Sequence, residues 1–133
     1  HRHGTLRKIR NLDMRSPCPI ANTLDIIGDK WTLLVLRDIL FFKKEQYGQF
    51  LSSWENISTN ILAERLKRLE RAGLVSKQPY QTNPTRYRYS ATPKGETLRP
   101  VISAIGKWGL DNIAKTRKPT KADLKALAAR NRP

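Results

Sequence analysis

The chain of 133 residues has one cysteine, Cys18, and two histidines, His1 and His3, both at its extreme start. A single thiol excludes an intrachain disulfide framework and a cysteine-based zinc site, and it fits a reducing cytoplasm. With no histidine in its body, the chain offers no imidazole for general-base work or metal ligation. A G-x-S-x-G turn, a glycine-rich phosphate cradle and clustered carboxylates are missing as well, so neither an enzyme nor a cofactor is expected. Asp25 and Asp29 flank a helix boundary and are more simply read as caps. Long apolar runs are also lacking. The densest, residues 31–42, is broken by Thr32, Arg37 and Asp38 and falls short of the ~18 residues that cross a bilayer. The start, HRHGTLRKIR, is charged, shows no signal-peptide pattern and has no initiator Met; its first few residues are set aside as trimmed or tag-derived.

Acidic residues are scarce. Lys and Arg number 26 against 11 Asp and Glu, a net charge of +15. A surplus of that size implies a polyanionic partner, nucleic acid before an anionic membrane, although a merely solvated surface is the plainer alternative. The charge is unevenly spread. Residues 18–57 hold four basic and five acidic side chains, whereas residues 58–90 hold seven basic and two acidic, and both tails are basic. The neutral part reads as core, and the later segment as the charged face.

Helical signals open the body of the chain. Pro19 suits the first turn of a helix running to about Ile27, with Gly28 as its stop. Asp29 can cap a second helix, residues 30–42, apolar nearly all round and therefore central. Tyr47, Phe50, Leu51 and Trp54 mark a short amphipathic helix. Ser58 or Thr59 can cap the next, which ends at Gly73; Leu62, Leu66 and Leu69 form its apolar stripe, and Asn60, Ala63, Glu64, Lys67, Arg68 and Arg71 its other side. Two helices joined this way, the second basic outside, form a helix-turn-helix pattern.

Residues 74–80 and 85–91 read as strands around the turn Gln81-Thr82-Asn83-Pro84. Period-two geometry puts Tyr87 and Tyr89 on the core side and Arg86 and Arg88 outward, the pattern of a wing. Thr92-Pro93 starts a further helix to about Ala114, along which Leu98, Val101, Ile102, Ile105 and Trp108 recur at helical spacing. One small domain cannot cover so long a stripe, so part of it is expected to meet another subunit. Thr120 with Asp123 can open a short helix around Leu124 and Leu127. The fold expected is mainly α with a small β-hairpin, divided into a basic arm (1–16), a winged helix-turn-helix domain (17–115) and a basic tail (116–133).

From residue 17 to residue 109 the sequence resembles the HxlR-type winged helix-turn-helix regulators of bacteria, related in fold to MarR regulators. The resemblance rests on CPI at 18–20, LDIIGDKWTLLVLRDIL at 24–40, QFLSSWENIS at 49–58, LAERLKRLERAGLV at 62–75, NPTRYRYSATPKG at 83–95 and the Leu98-to-Trp108 helix. Arg88 and Ala91 depart from the acidic residue and leucine frequent in the second wing strand. The resemblance implies a homodimeric, effector- or redox-responsive DNA-binding regulator. Its dimer contacts come from the N- and C-terminal helices, here Ile20 and Leu24 with Leu98, Val101, Ile102, Ile105 and Trp108.

On duplex DNA, the helix beginning at Ser58 would lie in the major groove. Ser58, Thr59 and Asn60 can contact phosphates or base edges, one of the first two also serving as cap, and Asn60 can pair bidentately with adenine. Ala63, Lys67 and Arg68 join this set. Arg65 either braces the fold through Glu55 or Glu70 or reaches a phosphate. Lys30, Lys43 and Lys44 are phosphate candidates or ordinary solvated cations. Asn83, Thr85, Arg86 and Arg88 would line the minor groove. Two copies about 34–36 Å apart would read an inverted-repeat operator in double-stranded DNA, in the cytoplasm at the nucleoid. Cys18, just before a helix start, is a sensor thiol for an oxidant or electrophile, or a small buried apolar residue; an effector pocket among Trp31, Phe50 and Trp108 is open. No membrane partner is expected. The alternative is a structural protein that binds nucleic acid non-specifically through its basic tails.

Overall fold

A computed structural model describes residue 9 and residues 16–130. Helix α1 spans Pro19–Ile27 and α2 spans Lys30–Phe41. Cys18 caps α1, its sulfur accepting from the Ala21 N–H at 3.4 Å. Asp29 caps α2, its carboxylate accepting from the backbone N–H (2.9 Å) and hydroxyl (3.0 Å) of Thr32. As expected from its composition, α2 is central: Val35, Leu36, Ile39 and Leu40 are buried on it.

Helix α3 is a single turn, Tyr47–Phe50, rather than a helix reaching Trp54. The Ser53 hydroxyl donates to Asp38 at 3.0 Å and also lies 3.3 Å from the Phe50 carbonyl, side-chain bonds that compete with helix continuation. Trp54 is left exposed. Helix α4, Thr59–Arg71, begins where Ser58 accepts from the Ile61 N–H at 3.2 Å and buries Leu62, Leu66 and Leu69. It closes with paired bonds, Gly73 N–H to Glu70 O and Leu74 N–H to Leu69 O, both 3.0 Å. Gly73 sits at φ 77, the left-handed conformation that makes glycine the natural residue at this helix end.

Strands β1 (Val75–Gln81) and β2 (Arg86–Ala91) pair antiparallel, Val75 opposite Ala91 and Lys77 opposite Tyr89. They start one residue later than expected because Leu74 is taken up in the closure of α4 and Thr85 stays in the turn. Tyr87 and Tyr89 are half-buried and Arg86 and Arg88 exposed, as alternation requires. The base of the wing is fixed by the Tyr89 N–H donating to Glu45 O at 2.8 Å, and the Tyr89 ring meets Phe50 edge-on at 6.3 Å.

Beyond the wing, the expected single helix is split into α5 (Pro93–Glu96) and α6 (Arg99–Asn112). Pro100 has no N–H and clashes within a helix interior, so a new helix starts with Pro100 in its first turn. Gly95 is required in α5, since a Cβ there would fall 2.1 Å from the Leu74 carbonyl oxygen. Helix α7, Lys121–Arg130, opens on the expected pair: Asp123 accepts from the Thr120 N–H (2.8 Å) while Thr120 Oγ1 accepts from the Asp123 N–H (3.1 Å). Its Leu127 is buried, and Arg130 donates to Ser53 O at 2.7 Å. No described helix is long and apolar enough to cross a membrane.

Candidate nucleic-acid interface

The outer side of α4 is polar and open. Ser58, Thr59, Asn60, Ala63 and Lys67 are exposed, while the leucine stripe faces the core. The first turn is held from behind by Tyr47 on α3, whose hydroxyl donates to Thr59 O at 2.7 Å; partial burial raises the pKa of this phenol and keeps it protonated. Arg68 is half-covered and lies 3.3 Å from Glu64 one turn back.

Arg65 braces the fold, but through a different partner from Glu55 or Glu70. Its Nε donates to Asp29 Oδ2 at 2.6 Å, its Nη2 to Oδ1 at 3.2 Å, and its Nη1 to Glu64. The pair shifts both groups: Arg65 holds the Asp29 carboxyl well below the usual carboxylate range, and Asp29 raises the guanidinium. Its guanidinium is thus committed to the α2–α4 junction.

In the wing, Asn83 (φ 54) forms the tip beside Thr85, and Arg86 and Arg88 project outward. The Arg88 guanidinium lies 4.8 Å from the Tyr80 ring centroid, and Lys77 Nζ lies 4.4 Å from that of Tyr87. These contacts limit the rotamers of long cations. Tyr80 and Tyr47 were not among the expected site residues; alternating aromatic and basic residues across the hairpin were the available signal for Tyr80.

The backbone candidates divide. Lys30 is exposed, with Nζ 4.6 Å over Trp31, and Lys43 is exposed at φ 55. Lys44 is corrected: its ammonium turns inward to Ser52 O and Ser53 Oγ, both 3.0 Å, and to Asp38 at 3.5 Å. Burial lowers its pKa. The cause is Asp38, 3% exposed, which needs cationic partners and takes Arg37 as well, at 2.9 Å. Arg37 in turn forks onto Glu55 through two 2.9 Å bonds. An aspartate in the middle of an apolar helix was the sequence signal for this cluster.

The apolar stripe divides likewise. Leu98 and Ile102 pack against the core of their own chain, which corrects their assignment to a partner. Ile20 (70% exposed), Leu24 (58%), Val101, Ile105 (52%) and Trp108 (63%) remain uncovered. Leu110 and Ile113, which sequence reasoning missed, are exposed as well, Leu110 on the opposite side of α6 from Trp108. The expected pocket among Trp31, Phe50 and Trp108 does not form, because Phe50 is fully buried while Trp108 faces outward. Cys18 is exposed, so the reading of a small buried residue is set aside.

A helix-turn-helix followed by a two-stranded wing is therefore in place, and residues 26–117 match the HxlR-like helix-turn-helix family. The chain belongs to the HxlR-like family. It is 36% identical over 109 residues to the HTH-type transcriptional regulator YdeP of Bacillus subtilis, covering 80% of this chain and 84% of that one. It is 38% identical over 94 residues to an HTH-type transcriptional regulator of Synechocystis, covering 71% and 69%. Among solved structures, the redox regulator HypR in its reduced form aligns at 30% identity over 73% of this chain and 95% of that one, with a TM-score of 0.66. A MarR-family transcriptional regulator from Porphyromonas gingivalis aligns at 34% identity over 80% and 100%, with a TM-score of 0.65. As an HxlR-like protein, the chain is a winged helix-turn-helix transcriptional regulator with a DNA-binding fold, not an enzyme.

Proposed function

We propose that the protein acts as a homodimer on an inverted repeat in double-stranded DNA, reading its sequence with α4 and gripping the flanks with the wing. The observation that carries this reading is the exposed polar start of α4 backed by a buried leucine stripe. Asn60 would pair with adenine, Ala63 would permit close approach to a thymine methyl, and Ser58, Thr59, Lys67 and Arg68 would hold phosphates or base edges. Arg65 contributes by fixing the angle of α4 against α2. Arg86 and Arg88, with Asn83 and Thr85 at the tip, would enter or flank the minor groove, where potential rather than a base code attracts arginine. Lys30 and Lys43 would add phosphate contacts. The uncovered faces of α1 and α6 supply a self-complementary patch for a two-fold axis, which sets the two recognition helices about one DNA turn apart. In this reading the basic arm and tail add non-specific attraction, and the protein resides at the nucleoid.

Cys18 adds a response to oxidants or electrophiles. It caps α1 two residues from Ile20, so modification of the exposed thiol would disturb the helix that carries part of the dimer face. Footprinting on genomic fragments with excess random competitor, repeated with the thiol oxidant diamide, tests both parts. An occupied inverted repeat lost or moved on oxidation is the expected result. Binding indifferent to sequence would overturn the operator reading in favour of a non-specific nucleic-acid-binding protein, and occupancy unchanged by diamide would overturn the Cys18 response.

A further inference from the structure

We infer that a cavity roofed by α7 is a binding site for an amphipathic organic acid, a compact apolar body bearing one carboxylate. The cavity has a volume of about 870 Å³ and lies between the C-terminal end of α2, the turn after α3, one side of α6 and the segment 116–127. That size falls in the range of small-molecule sites. Its apolar walls come from Phe41, Phe42, Trp54, Leu110, Leu124 and Leu127. Burying an apolar body against such walls supplies affinity in proportion to area.

Charge selects the ligand's polar end. Five cations line the cavity, Arg37, Lys44, Lys107, Arg117 and Lys118, against one carboxylate, Glu55. Arg37 and Lys44 are engaged at the floor by Asp38 and Glu55, Lys107 by Asp111 at 2.5 Å and Arg117 by Asp123 at 2.6 Å. Lys118 forms no ion pair among the described residues. An entering carboxylate meets a positive rim with Lys118 as its partner, whereas an amine would be repelled. The guanidinium of Arg117 is seated 5.3 Å from the Trp54 ring centroid, which fixes that side of the rim.

Space has been kept open on the α6 wall. Gly106 and Gly109 line the cavity, and a Cβ added to either would meet nothing within 4 Å. Glycine inside a helix costs about 1 kcal/mol relative to alanine, so the backbone at these two positions trades helix stability for room. Most of the roof, residues 118–127, lies beyond the stretch matched to the HxlR-like family. The site is thus built from this chain's own C-terminal segment folding back on the domain.

Calorimetric titration of the full chain with 1-naphthoate and with decanoate, each paired with its neutral alcohol, tests the inference without reference to DNA. Saturable binding of at least one acid, at least tenfold tighter than its alcohol, is expected. Gly106→Leu, which fills the cavity while improving helix propensity, should abolish it with an unfolding temperature equal to or above that of the parent. Lys118→Gln should weaken the acid severalfold and leave the alcohol unchanged. No saturable binding of either acid, equal affinity for acid and alcohol, or full binding by Gly106→Leu would each overturn the proposal. Should Gly106→Leu fail to fold, undiminished acid binding by Lys118→Gln overturns it.

Discussion

Arg65 and Asp29, 36 residues apart, meet through a 2.6 Å Nε–Oδ2 bond that ties α4 to the cap of α2. One carboxylate therefore terminates α2 and orients α4. Asp29→Ala is expected to lower stability by about 1–2 kcal/mol, the usual cost of losing such a cap, and to weaken DNA binding as α4 loses its brace. Asp29→Asn keeps a good cap and loses only the charge, so its stability should fall between those of the parent and the alanine variant. Denaturant titrations of the three proteins check this order.

The same pair makes stability sensitive to acid. The folded-state pKa of Asp29 lies below its ordinary value of 3.8, so the unfolded chain binds the proton first as pH falls. The contribution is fully present above pH 3.8 and is lost progressively below it. Unfolding free energy followed from pH 6 to pH 2 should fall less steeply for Asp29→Asn than for the parent.

Asp38 is expected to be costly to remove. It is buried against Arg37, Lys44 and Ser53, and Asp38→Ala leaves the inward-turned Lys44 without its ion-pair partner and Arg37 with Glu55 alone. Breaking a buried pair from one side costs about 3–5 kcal/mol, so a comparable drop should appear in chemical denaturation, with little dependence on salt.

On DNA, contacts of different kinds should separate by their salt and sequence dependence. Arg88→Ala is expected to weaken binding uniformly across sequences and to reduce the log–log salt slope by about one per protomer. Asn60→Ala should cost about 1–3 kcal/mol at one base pair of each half-site and relax the preference there. Gel-shift titrations over a series of salt concentrations and site variants measure both.

Trp108, 63% exposed on α6, should be the centre of the self-association face. Trp108→Glu is expected to yield a folded monomer by sedimentation, with affinity for the full inverted repeat reduced at least a hundredfold.

Much of this architecture was legible in the sequence because short-range rules govern it. Caps at Asp29 and Ser58, the stop at Gly73 and the outward Arg86 and Arg88 all follow from local spacing and backbone conformation. What escaped depends on three-dimensional competition. Lys44 reads as one of two adjacent surface lysines until the buried Asp38 draws it inward, and Leu98 and Val101 belong to one apolar stripe until the helix is placed and only the first finds the core. Arg65 could be read as a brace, but its partner Asp29 lies on a different helix boundary. The α7 cavity was not legible at all, because Leu127 and Trp54 come together only through a long-range fold-back.

The bond from the Tyr89 N–H to Glu45 O, described above as fixing the wing's base, makes the hairpin a cantilever, clamped at its root and loaded at its tip. Displacement of the hairpin is then largest toward its free end at Asn83 and smallest at Tyr89, so in the proposed complex Arg88, next to the clamped residue, would be held more firmly than Arg86. A substitution that frees the root, such as one displacing Glu45, would spend that stiffness on swinging motion and blur the distance between groove contacts.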